Sequence, residues 1–62
     1  MKTLTKDEMI DIAASAIEKN MDFETLKYSD YMYGMESLTD QVWEYVLECR
    51  QIGSLAFNEK YF

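Results

Sequence analysis

The chain has 62 residues, twelve acidic and six basic, for a formal net charge of −6; histidine and proline are absent and there is one cysteine. A chain of this length makes one domain, residues 1–62, with a small core and little margin of stability. Lacking histidine and any partner for Cys49, it cannot assemble a Ser/His triad or a zinc cage, and its excess of carboxylates argues against direct binding to nucleic-acid phosphates.

The first predicted helix covers residues 6–19. Thr5, Lys6, Asp7 and Glu8 form a capping-box pattern, and Leu4 and Met9 stand where a hydrophobic staple would close over it. Met9, Ile10, Ala13, Ala14, Ala16 and Ile17 share one arc, with acids on the other. Asn20 suits the left-handed position that ends a helix, with Met21 packing back on the last turn. The opening residues carry charges at Lys2, Lys6, Asp7, Glu8 and Asp11 and contain no apolar run of the signal-peptide type. No stretch is long and apolar enough for a membrane span, so no membrane partner is expected.

Asp22 is a fitting N-cap for a second helix, predicted over residues 23–33 and stopped by Gly34. Its apolar residues do not fall on one arc. Phe23, Leu26 and Tyr33 point one way, while Tyr28, Tyr31, Met32 and Met35 point another. The third helix is predicted over residues 38–52. Ser37 to Asp40 reads as a second capping box, and Leu38, Val42, Tyr45, Val46, Cys49, Ile52 and Ala56 keep a spacing of three or four. That spacing runs through Gly53, which either ends the helix or lies inside it. If it ends there, Ser54 caps a short helical turn through residues 55–60. Cys49 lies on the predicted core stripe and reads as a small buried hydrophobe. Helices joined by short loops make an all-α domain of three helices, with a fourth short piece at the C-terminus.

The acids are not spread evenly. Residues 28–49 contain Asp30, Glu36, Asp40, Glu44 and Glu48 and no basic residue. Asp40, Glu44 and Glu48 stand four apart on one helix face, where like charges repel. Each step of four advances about 6 Å, a length comparable to the spacing of phosphates along a nucleic-acid strand. Acidic faces commonly serve only solubility. The sharper expectation is a small non-enzymatic inhibitor or regulator, without cofactor or metal, that occupies the basic, nucleic-acid-binding surface of a partner protein. Phages and mobile elements encode inhibitors of that type against host defence or transcription. Its contacts would be Asp30, Glu36, Asp40, Glu44 and Glu48, flanked by Tyr31 and Tyr33. A lone cysteine fits the cytoplasm, or the host cytoplasm for a viral product. The alternative is a structural homodimer held by Trp43, Leu47 and Phe57.

Overall fold

The computed structural model describes residues 3–62. Four α-helices follow one another: α1 (Lys6–Glu18), α2 (Phe23–Lys27), α3 (Thr39–Ile52) and α4 (Ser54–Tyr61), with 3-10 turns at Asp30–Met32 and Glu36–Leu38 between α2 and α3. No strand occurs among the described residues. The fold is all-α, as expected.

The start of α1 is held by the capping box. The Thr5 hydroxyl accepts from the Glu8 amide at 3.1 Å, and the Thr5 amide donates to the Glu8 carboxylate at 2.9 Å. At the other end Asn20 has φ 53, the Met21 amide donates to the Ala16 carbonyl and the Asn20 amide to that of Ile17. This crossed pair satisfies carbonyls that the helix end would leave open, and an asparagine tolerates the left-handed backbone it requires. Leu4, Met9 and Met21 are half-buried against the core.

The second segment departs from the expected helix over residues 23–33. Asp22 caps α2 through its carboxylate, which accepts from the Thr25 amide at 2.7 Å, but the helix stops at Lys27. The Leu26 carbonyl, which a continuing helix would offer to the Asp30 amide, accepts instead from the amide and the hydroxyl of Ser29. Packing explains the break. Leu26 and Met32 are both fully buried, yet six residues apart on a helix they would point about 120° away from each other. The chain buries both by leaving the helix at Tyr28 and turning through Asp30–Met32.

α3 is entered through a turn. Leu38 precedes it and no side chain caps it, so the capping box expected at Ser37 is not formed. The Thr39 hydroxyl donates to the Glu36 carbonyl at 2.7 Å inside the preceding turn, which lets Thr39 be buried with its polar atom satisfied. Gly53, at φ 93 and ψ 152, alone separates α3 from α4. The short final turn expected at the C-terminus is a helix of eight residues, and Ser54 does not cap it.

The core lies between α1 and α3. Ala13 and Ala16 bring α1 close to Val42 and Val46, with Leu26 and Met32 closing the layer. The small residues on α1 permit this approach of two helix axes. A second, smaller cluster joins Ile10, Cys49 and Phe57, one residue each from α1, α3 and α4. Cys49 is a free, buried thiol there, as expected of its place on the stripe. No buried side-chain nitrogen or oxygen lacks a partner among the described residues. Among the described residues no helix is long and apolar enough to cross a membrane.

Candidate protein interface

The outward face of α3 carries Asp40, Glu44, Leu47 and Gln51, all exposed. At about 100° per residue these four fall within some 60° of arc, opposite the buried Val42, Val46 and Cys49. Leu47, half-exposed at 50 %, therefore sits beside the acids and not on a separate apolar stripe. Helical angles alone would have placed it there. The carboxylates of Asp40 and Glu44 make no hydrogen bond or ion pair among the described residues.

Glu48 is one turn further on and differs. Its carboxylate is bound by the Lys60 ammonium and accepts from the Tyr61 hydroxyl at 2.7 Å, both from α4. These two donors hold its pKa below the ordinary carboxylate value, and the same contact raises that of Lys60. The expected row of three equivalent carboxylates is thus a row of two. Nothing within the span of α3 signals this, because Lys60 arrives from twelve residues away around the Gly53 bend.

The remaining expected contacts divide. Asp30 is exposed and lines a shallow hollow with Lys19, Met21, Tyr28, Ser29 and Tyr31. Tyr31 is half-buried, and its hydroxyl accepts from the Lys19 ammonium at 2.7 Å, which lowers the phenol pKa. Tyr33 is 79 % exposed. The Glu36 carboxylate accepts from the Gly34 amide at 3.1 Å and stabilises the turn into α3. Glu44 and Glu48 line a different groove, between α1 and α3, with Met9, Gln41 and Tyr45. The two depressions share no residue, so Asp30 and Tyr31 form one patch while Asp40 and Glu44 form another.

The dimer contact expected from Trp43, Leu47 and Phe57 is not assembled. Phe57 is 1 % exposed, held in the monomer's own core. Trp43 is half-buried. It meets the Phe23 ring edge-on at 5.7 Å, and the Arg50 guanidinium lies 5.2 Å from its ring centre. Arg50 also donates to the Met21 carbonyl, which ties α3 to the end of α1. Of the three, only Leu47 is exposed.

The cations show a further regularity. Lys6 and Lys60 lie over the Tyr61 ring, Lys19 over Tyr31, Lys27 over Tyr28 and Arg50 over Trp43. Each lies 5.1–5.7 Å from a ring centre, Lys19 at the phenol oxygen of its ring, and among the described residues only Lys60 pairs with an acid. No group of three potential metal ligands occurs among the described residues. Compared with family models, with curated proteins and with solved structures, the chain matches none.

Proposed function

We propose that this chain is a non-enzymatic interaction protein whose acidic surface covers a basic, nucleic-acid-binding surface on a partner protein. The observation that carries the reading is the absence of a cationic partner at the exposed Asp40 and Glu44 carboxylates among the described residues, where the one ion pair joins Lys60 to Glu48. Two like charges on adjacent turns cost helix stability by themselves. A cationic partner removes that cost and gains from it. Leu47, exposed beside them, adds an apolar contact to the same face. An inhibitor of the type that phages and mobile elements direct against host machinery fits this charge layout, by analogy of design.

The test is the double reversal Asp40→Lys with Glu44→Lys, in capture from the cells that produce the chain followed by titration of the captured protein. The expected partner is basic. Its affinity falls steeply with added salt and drops by two orders of magnitude or more in the double variant, while helicity is unchanged. Equal affinity of the variant, or binding indifferent to salt, overturns the proposal. Glu48 is unsuitable for this test because it holds α4.

A further inference from the structure

We propose that α4 is an exchangeable arm: by straightening at Gly53 it leaves its own chain and docks on a second copy, which gives a reciprocal dimer. Three observations carry this. The first is the hinge. A single residue separates two helices, and its φ of 93 is one that only glycine adopts at no cost. A Cβ built at Gly53 would meet nothing within 4 Å, so glycine is there for the bend and not for close packing. The second is the sequence pattern, whose spacing of three or four continues from Val42 through Cys49 and Ile52 to Ala56 as though no bend existed. A straight α3–α4 helix is the alternative state that this pattern encodes.

The third observation is what each state exposes. In the bent chain Ile52 is 41 % and Leu55 75 % exposed, one on each side of the hinge. Residues beside a hinge form the new contact when two chains exchange an element, and exchange is a low-cost route to dimers because the docking contacts are remade unchanged. Those contacts are specific. Phe57 enters the cluster of Ile10 and Cys49, the Tyr61 ring meets Tyr45 edge-on at 5.8 Å, and Lys60 pairs with Glu48. All are made between α4 and the rest of the fold, so a second copy offers an identical seat. The occupant is another α4 of this chain, and the inference does not depend on the partner proposed above.

The first test is Gly53→Ala, followed by sedimentation. Alanine favours the straight helix and disfavours the bend, a shift of about thirtyfold per hinge. The variant is expected to sediment as a dimer at concentrations where the parent chain is a monomer; a helical monomer overturns the proposal. The second test keeps Gly53 and uses Glu48→Lys and Lys60→Glu as separate chains. Each alone opposes like charges at the α4 seat. Mixed, each α4 meets the opposite charge on the other chain, so a one-to-one heterodimer is expected from two proteins that are monomers apart. Both variants retain a net negative charge, which removes general attraction as the cause. A mixture that remains monomeric overturns the exchange, even if Gly53→Ala dimerises by another face.

Discussion

The two ends of α3 carry the same kind of residue at the same spacing and put it to different use. At the front, Asp40 and Glu44 face solvent with no cation attached among the described residues. At the rear, Glu48 is bound by Lys60 and Tyr61. Local helix geometry is identical for the three. The difference is made by α4, which folds back at Gly53 and brings an ammonium and a phenol to one carboxylate. A charge row read along a helix is therefore a statement about spacing, and which members remain available depends on what the tertiary fold lays over it.

The strongest way to erase this difference is to detach α4. Phe57→Ala removes a fully buried aromatic that is the only buried residue of α4. It is expected to cost about 3–5 kcal/mol, a large part of the stability of so small a domain, and to appear as a collapse of the urea midpoint. If Phe57→Ala unfolds like the parent chain, α4 is not an integral part of the core. A milder change acts on the latch. Glu48→Gln is expected to lower the melting temperature by less than Phe57→Ala does and to flatten its acid dependence. The sign follows from the pKa. The folded value lies below the ordinary one of 4.5, so the stabilisation is fully present above pH 4.5 and is lost as pH falls through the lowered value. A parent chain and a Glu48→Gln variant with parallel melting curves from neutral to acid pH would remove the latch from the argument.

The smallest effect has the opposite sign. Glu44→Gln relieves like-charge repulsion toward Asp40 and toward Glu48, each pair worth about 0.2–0.5 kcal/mol in a helix. The variant is therefore expected to be slightly more stable than the parent in low salt, with the gain shrinking as salt is added. Responses of opposite sign from two glutamates one turn apart would put the comparison on a quantitative footing. A loss of stability in Glu44→Gln would show that Glu44 has a structural partner after all.

What could be read in the sequence was whatever neighbours decide. α1 is legible from Thr5 to Met21 because its cap, its apolar arc and its terminating asparagine all act within a few residues. The break after Lys27 was not, although its cause was visible as a misfit: Leu26 and Met32 cannot share a helix face. Which of two misfitting groups yields depends on the space beneath them, and that space is set by Ala13, Ala16, Val42 and Val46 on other helices. The same holds for the candidate site. Asp40 and Glu44 are exposed because α3 buries its other face, which periodicity shows. The surroundings of Glu48 and Phe57 depend on a bend at one glycine, and the periodic pattern passes through that glycine without a mark.

The position of Trp43 has a practical consequence. It is the chain's one indole, packed edge-on against Phe23 and beneath Arg50, at the seam of α2 and α3. Its fluorescence will therefore report the half of the molecule that stays in place and will be nearly blind to α4, whose rings are Phe57 and Tyr61. Emission that holds constant while the sedimentation coefficient changes would be the optical signature of an arm that moves without unfolding the body it leaves.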